Sequence, residues 1–189
     1  MNKSELFYSI ARPNIRDMEE YDPGPVLPEL VRISSNENNL GVSRKAVEAI
    51  KNAVSECNRY GDSRCDRLRN KLAQKHGMTP DQFVIGNGLD GVFTMLGRAF
   101  IEPGDEVVCG ELTFSVYAEM AEIMGGRAVK VPMTENMELD TDGFIAAVTE
   151  KTRMVVFCNP NNPTGTGTGI RDIRKMLDAI PEKVLFVLD

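Results

Sequence analysis

The sequence predicts an α/β protein in three layers, a mostly parallel sheet with helices on both faces. Short runs of four or five apolar residues alternate with helical patterns along the chain, which is typical of this class. The runs are apolar at successive positions, as expected for strands that are buried on both faces. Polar or glycine-rich residues follow most of the predicted strands, and open α/β sheets bind ligands at the carboxyl ends of their strands.

The composition narrows the class of protein. The chain has 189 residues, 42% of them hydrophobic and 26% charged, which is ordinary for a globular protein. Its net charge of -6 argues against nucleic-acid binding, which usually needs a basic patch. No apolar run reaches the roughly 20 residues of a membrane span, and the N-terminus lacks the apolar core of a secretion signal. The four cysteines form no CxxC pair, so we expect reduced thiols, no metal site and a cytoplasmic location.

The chain divides into an N-terminal arm and one domain. Residues 1–32 contain four prolines, which cannot all lie inside regular elements. We therefore predict an irregular arm with one short helix over residues 1–32, and a single domain over residues 33–189.

The elements of the domain follow from apolar periodicity and from turn residues. Helices are predicted where apolar residues recur at helical spacing, and strands where short apolar runs are bounded by turn residues. Glycine or proline ends several of the helices, as at Gly77, Pro103 and Gly125. In order, we predict a helix over 42–54, a helix over 65–76, a strand over 83–85, a helix over 90–100, a strand over 106–109, a helix over 114–124, a strand over 128–131, a helix over 141–149, a strand over 154–158, a helix over 170–180 and a strand over 184–188.

A glycine-rich loop follows the first predicted strand. Gly86, Gly88 and Gly91 let the backbone approach a ligand, and the helix that begins there exposes N–H groups that favour an anion. The spacing also matches the dinucleotide fingerprint G-x-G-x-x-G, with Glu111 about 20 residues further on. From this loop alone, a phosphate cup, a nicotinamide-dinucleotide site and a plain turn with Asp90 capping the helix are equally open.

The loop over residues 159–165, N-P-N-N-P-T-G, is the more specific signal. It follows a buried strand and contains two prolines and three asparagines, whereas a simple turn needs one such residue. Rigid polar loops on a scaffold usually carry function. The sequence therefore predicts a polar shelf at the edge of the sheet, with its asparagine amides directed at a ligand.

This segment resembles the asparagine loop of the fold-type I aminotransferases, which use pyridoxal phosphate (PLP). The resemblance implies that the chain is the PLP-binding large domain of such an enzyme. A carboxylate at the ring nitrogen would keep the nitrogen protonated, so that the cofactor acts as an electron sink. The implied cofactor-binding residues are Gly88, Leu89 and Asp90 for the phosphate, Phe114 for the ring face, Asn162 for the phenolic oxygen and Asp189 for the ring nitrogen.

A narrower resemblance is to the histidinol-phosphate aminotransferase family. It rests on the segments R-P-N-I-R, Y-D-P-G-P, S-N-E-N and R-Y-G-D. It implies that Tyr21 and Asn36 bind substrate, and that Tyr60 reaches the cofactor phosphate of a neighbouring subunit in a homodimer. The implied reaction moves an amino group between histidinol phosphate, or a related amino acid or amine, and 2-oxoglutarate in histidine biosynthesis.

The resemblance covers essentially the whole chain but only part of a typical family member. The family's lysine that attaches the cofactor covalently matches no residue here. We therefore expect a domain that is incomplete at its C-terminal end, and a chain that binds PLP weakly without turnover.

Three alternatives stay open. The first is another fold-type I PLP enzyme, such as an aromatic aminotransferase or an amino-acid-phosphate decarboxylase. The second is a non-catalytic domain that binds a ligand or dimerises. The third is a nicotinamide-binding module, which leaves the asparagine loop unexplained.

Overall fold

The computed structural model describes residues 3–16, 18, 29, 30, 33 and 35–189. They belong to two compact units. The sheet unit comprises Met1–Met18 and Gly86–Asp189, and the helical unit comprises Glu19–Ile85. The arm over 1–32 and the domain over 33–189 stay a prediction.

The described residues form twelve regular elements and two short 3₁₀ turns. None of these helices is long and apolar enough to span a bilayer. In chain order the elements are α1 (Lys3–Ile10), α2 (Pro13–Arg16), α3 (Arg44–Ala53), a 3₁₀ turn (Val54–Glu56), α4 (Asp66–His76), a second 3₁₀ turn (Pro80–Gln82), α5 (Gly88–Phe100), β1 (Glu106–Gly110), α6 (Val116–Ile123), β2 (Arg127–Val131), α7 (Thr141–Ala146), β3 (Thr152–Phe157), α8 (Ile170–Ala179) and β4 (Leu185–Leu188).

The sheet unit confirms the predicted fold class. Its four strands are all parallel and lie in the order β2-β1-β3-β4. Side chains of one strand alternate between the two faces: Val107 of β1 packs in the same core as α5 and α6, and Val108 in the same core as α7 and α8. Helices therefore cover both faces, and every strand of the sheet ends at the same edge.

One predicted strand does not form. Residues 83–86 have no strand partner, although the backbone of Phe83 is extended, with φ -117 and ψ 130. An apolar run becomes a strand only where a neighbour accepts its backbone hydrogen bonds, and Val84 is 68% exposed. Among the residues that the structure describes there are therefore four strands, where the sequence predicts five.

The predicted arm contains two short helices among its described residues, rather than one. The second, α2, contacts the C-terminal end of α6. Arg12 donates to the carbonyl of Ile123 at 2.8 Å, and Asn14 donates to the carbonyl of Glu122 at 2.6 Å. The last carbonyls of a helix have no partner within it. The R-P-N-I-R segment therefore supplies hydrogen-bond donors to the last carbonyls of α6.

The helical unit is built on α3 and α4. Gly77 ends α4 in the left-handed conformation, with φ 66, as the sequence predicts. Arg69 of α4 donates from Nε to the carbonyl of Pro80 at 2.8 Å and so ties the helix to the following turn. Helix α3 buries none of its side chains.

Candidate functional site

Three segments of the sheet unit follow the carboxyl ends of strands, and a fourth is the amino end of a helix. Phe114 lies in the loop after β1, Asn162 in the loop after β3, and Asp189 directly after β4. The strands are parallel, so these three positions share one edge of the sheet. The fourth segment is the amino end of α5, which carries Gly88, Leu89 and Asp90.

Phe114 and Asp189 lie on the same face of the sheet because one side chain contacts both. The ring of Tyr117 meets that of Phe114 edge-on, with 5.7 Å between centroids, and the Tyr117 hydroxyl donates to Oδ2 of Asp189. The backbone N–H of Asp189 donates to the carbonyl of Phe157 at 3.0 Å. The predicted stacking ring and the predicted carboxylate therefore belong to one cluster.

Tyr117 is the residue that the sequence interpretation missed. It is fully buried, and a second ring, that of Phe93, packs on it with 4.9 Å between centroids. Burial, and then the hydrogen bond to Asp189, raises the pKa of Tyr117 above its ordinary value, so the hydroxyl stays protonated and can donate. Its spacing of three residues from Phe114 was the available signal, but a tyrosine on an apolar helix face usually belongs to the core.

Two of the three asparagines of the 159–165 loop are bonded within the protein. Asn159 exchanges hydrogen bonds with the backbone of Thr168, at 2.8 and 3.1 Å. Asn161 is buried; its Oδ1 accepts from Thr113 at 2.8 Å, and its Nδ2 donates to the carbonyl of Leu112 at 3.0 Å. The prediction that the asparagine amides are directed at a ligand is therefore wrong for Asn159 and Asn161.

Asn162 differs from its neighbours. Its side chain is half-buried and makes no hydrogen bond within the part of the chain that the structure describes, while its backbone N–H donates to Sγ of Cys158 at 3.4 Å. The Asn162–Pro163 and Asn159–Pro160 peptide bonds are both cis. Asn162 thus keeps an open amide at the sheet edge.

The amino end of α5 is open to an anion. The residue before the helix, Asn87, makes no side-chain capping bond, and Leu89 and Asp90 are exposed. The first N–H groups of a helix have no partner within it, and the helix dipole favours negative charge there. Asp90 lies in the first turn rather than at the cap, so the predicted capping of the helix by Asp90 is wrong.

Close backbone approach explains the first glycine of this loop. A side-chain carbon on Gly86 would lie 2.9 Å from the backbone nitrogen of Val92, which is too close for any other residue. Gly88 has φ 68, in the left-handed region that favours glycine. The glycines therefore shape the turn that leads into α5.

Three further residues of the predicted site belong to the helical unit. The side chain of Tyr60 is fully exposed, and Asn36 is exposed with φ 52. Tyr21 lies outside the described residues. The roles of Tyr60, Asn36 and Tyr21 stay predictions.

The groups at the sheet edge fit the chemistry of PLP. The open amino end of α5 suits a phosphate, and the ring of Phe114 offers a flat apolar face. The amide of Asn162 can donate to a ring oxygen. Asp189 has one carboxylate oxygen bonded by Tyr117, and within the described residues the other makes no hydrogen bond, which leaves it for a protonated ring nitrogen.

Comparison with known proteins adds independent findings. The family model described as aminotransferase class I and II matches residues 28–189. A histidinol-phosphate aminotransferase of Moorella thermoacetica is 41% identical over 187 residues, covering 94% of this chain and 48% of the relative. Histidinol-phosphate aminotransferase 2 of Carboxydothermus hydrogenoformans is 39% identical, covering 95% of this chain and 52% of the relative. This chain therefore spans about half the length of the curated relatives that it matches.

Solved structures agree with the fold. The crystal structure of histidinol-phosphate aminotransferase from Sinorhizobium meliloti, in complex with pyridoxal-5'-phosphate, superposes with a TM-score of 0.84. It is 29% identical and the match covers 96% of this chain and 50% of that one. An aromatic aminotransferase from Pyrococcus horikoshii superposes with a TM-score of 0.69 at 26% identity, covering 81% of this chain and 44% of that one.

Proposed function

Because this chain belongs to the class I and II aminotransferase family, we propose that it forms the cofactor-binding part of a PLP-dependent aminotransferase. One observation carries the proposal. The carboxylate of Asp189 lies on the same face of the sheet as the ring of Phe114, and the Tyr117 hydroxyl, which contacts that ring, donates to one of its two oxygens. A nicotinamide-binding module would give neither this carboxylate nor the asparagine loop a function.

Each residue of the site has a defined task in this proposal. PLP, when bound, supplies the electron sink for breaking bonds at the carbon next to the amino group. Asp189 accepts a hydrogen bond from the ring nitrogen and keeps it charged, since an opposite charge favours the charged form. Asn162 donates to the ring oxygen, and Phe114 packs on the ring.

The phosphate would bind at the amino end of α5, on the N–H groups of Gly88, Leu89 and Asp90. Leu89 has no hydroxyl, so its contribution comes from the backbone alone. The carboxylate of Asp90, in the same turn, interacts favourably with the helix dipole. It would repel a phosphate bound at the same helix end. The contribution of α5 to phosphate binding therefore comes from its backbone amides and its dipole.

We propose histidinol phosphate, or a related amino acid or amine, as amino donor and 2-oxoglutarate as acceptor, in histidine biosynthesis. Relatives with that name are 41% and 39% identical over nearly the whole chain. The second candidate is an aromatic aminotransferase, which the structure from Pyrococcus horikoshii favours. The proposed homodimer rests on the fully exposed ring of Tyr60, and the cytoplasmic location stays a prediction.

The test of substrate is transamination by the full-length gene product. Glutamate formation from 2-oxoglutarate is measured with histidinol phosphate, and with phenylalanine and tyrosine as the competing donors. A higher kcat/KM for histidinol phosphate supports the proposal. Preference for the aromatic amino acids favours the second candidate, and no transamination with any donor contradicts both.

The test of the cofactor uses the 189-residue chain itself. No residue of it matches the lysine of the family, so added PLP should keep its free-aldehyde absorption and be removed by dialysis. Turnover above the background of free PLP would mean that a lysine of this chain attaches the cofactor. Absence of any binding would contradict the assignment of Asp189, Asn162 and Phe114.

A further inference from the structure

The Tyr117 hydroxyl is the single described side-chain partner of Asp189. Tyr117 is 0% exposed, whereas Asp189 is exposed. A buried hydroxyl requires a hydrogen-bond partner, and this one finds it in a carboxylate at the surface. The contact therefore joins a rigid group in the core to a side chain that would otherwise sample several rotamers in water.

The position of Tyr117 is well determined by its neighbours. The rings of Phe93 and Phe114 pack on it with centroid distances of 4.9 and 5.7 Å. These two rings come from α5 and from the loop before α6. Because Tyr117 contacts both Phe114 and Asp189, it links the residue proposed for the ring face to the residue proposed for the ring nitrogen.

The direction of the bond is fixed: the phenol hydroxyl donates and Oδ2 of Asp189 accepts. The phenol itself does not ionise in the ordinary range, since burial and Asp189 both raise its pKa. The phenol therefore remains a hydrogen-bond donor, and it occupies only Oδ2.

We propose that Tyr117 is a positioning residue, which holds Oδ2 of Asp189 so that Oδ1 is directed to the ring nitrogen of PLP. The inference rests on the proposed function. Tyr117 does not touch the cofactor nitrogen in this scheme and acts only through Asp189.

The test measures equilibrium binding of two ligands by the chain and its variants. The ligands are PLP and an analogue in which carbon replaces the ring nitrogen. The variants are Tyr117→Phe, Asp189→Asn and the double variant. The matched control is Tyr8→Phe, which removes the hydroxyl of an exposed tyrosine that donates to the carbonyl of Arg16. Thermal unfolding of each variant reports on folding separately.

We expect Tyr117→Phe to weaken PLP binding roughly 3- to 10-fold, the range for loss of one hydrogen bond. The double variant should bind PLP no more weakly than Asp189→Asn alone, because the two residues act as one unit. Binding of the analogue should be unchanged by Tyr117→Phe, since the analogue offers no nitrogen to Asp189. Tyr8→Phe should bind both ligands normally.

Three results would overturn the inference: unchanged PLP affinity in Tyr117→Phe, equal weakening for PLP and the analogue, or additive effects in the double variant. Equal weakening would assign Tyr117 a purely structural role. The proposed function fails in a different way, with no PLP binding by the unsubstituted chain or no effect of Asp189→Asn.

Discussion

The two ends of the sheet use their polar side chains differently. At the amino end, the carboxylate of Glu106 is buried and bonded on both oxygens, by Arg127 at 2.6 Å and by Thr149 at 2.7 Å. At the carboxyl end, Asp189 is exposed and bonded on one oxygen, and Asn162 has no side-chain partner among the described residues. Glu106 begins β1 and Asp189 follows β4, but only Glu106 has both carboxylate oxygens bonded within the described residues.

The comparison shows how a site can be told from a structural cluster. A polar group that stabilises the fold has its hydrogen-bonding capacity satisfied inside the protein. A group that binds a ligand has a hydrogen-bond donor or acceptor that no other group of the protein occupies. The distinction also separates adjacent residues: Asn161 is fully bonded, whereas its neighbour Asn162 is open.

The largest expected effect is on stability, from Asn161→Ala. The change removes three side-chain hydrogen bonds of a buried residue, to Thr113, to the carbonyl of Leu112 and to Thr164. We expect a loss of about 2–4 kcal/mol in the free energy of unfolding, from the loss of these hydrogen bonds. Urea unfolding measures it, with Asn162→Ala as the matched control. Equal losses in the two variants would remove the distinction between them.

The second-largest effect on stability is expected from Glu106→Gln, at the amino end of the sheet. We expect a loss of about 1–2 kcal/mol at pH 7, because the buried carboxylate loses charge-assisted hydrogen bonds while its partner Arg127 is largely exposed. Hydrogen bonds from Thr149 and then Arg127 hold the pKa of Glu106 below its usual 4.5.

The pH dependence of that loss follows from the direction of the shift. The unfolded chain, with the higher pKa, takes up its proton first as the pH falls, so this contribution to stability is present above about pH 4.5 and is lost below it. The stability difference between the parent chain and Glu106→Gln should therefore shrink as the pH is lowered from 5 toward the folded-state pKa. A difference that is independent of pH would assign the effect to packing rather than to charge.

A smaller effect is expected at the open end, from Asn162→Ala. The free energy of unfolding should change by less than about 0.5 kcal/mol, since no internal hydrogen bond is lost. Affinity for PLP should fall roughly 2- to 10-fold, the range for one hydrogen bond. Equilibrium dialysis measures the affinity. Unchanged binding, or a large loss of stability, would show that Asn162 has a structural role, as Asn161 does.

The smallest effect is expected from Lys183→Gln. The Nζ of Lys183 lies 2.6 Å from the carboxylate of Glu150, in a pair whose side chains are 52% and 93% exposed. Exposed pairs contribute at most about 1 kcal/mol. Lys183 precedes β4 and Asp189 follows it, so the two are roughly 20 Å apart at about 3.3 Å per residue. PLP binding should therefore be unchanged; lost binding would contradict the placement of the site.

Much of the fold could be predicted because periodicity is a local property. The helices at α4, α5 and α8 and all four strands of the sheet lie within a few residues of their predicted bounds. The strand over 83–85 was wrong because an apolar run does not reveal whether a neighbouring strand exists. The cofactor residues came from a resemblance, and their roles stay proposals that the geometry supports.

The sequence by itself determined most of the helices and strands of the described residues, and that polar residues follow the strands at one edge. Only the tertiary structure decided which of these residues are open. The bond from Tyr117 to Asp189 spans 72 positions of the chain, and that from Thr113 to Asn161 spans 48. Hydrogen bonds over such separations depend on how strands and helices pack, and no local pattern of residues encodes them.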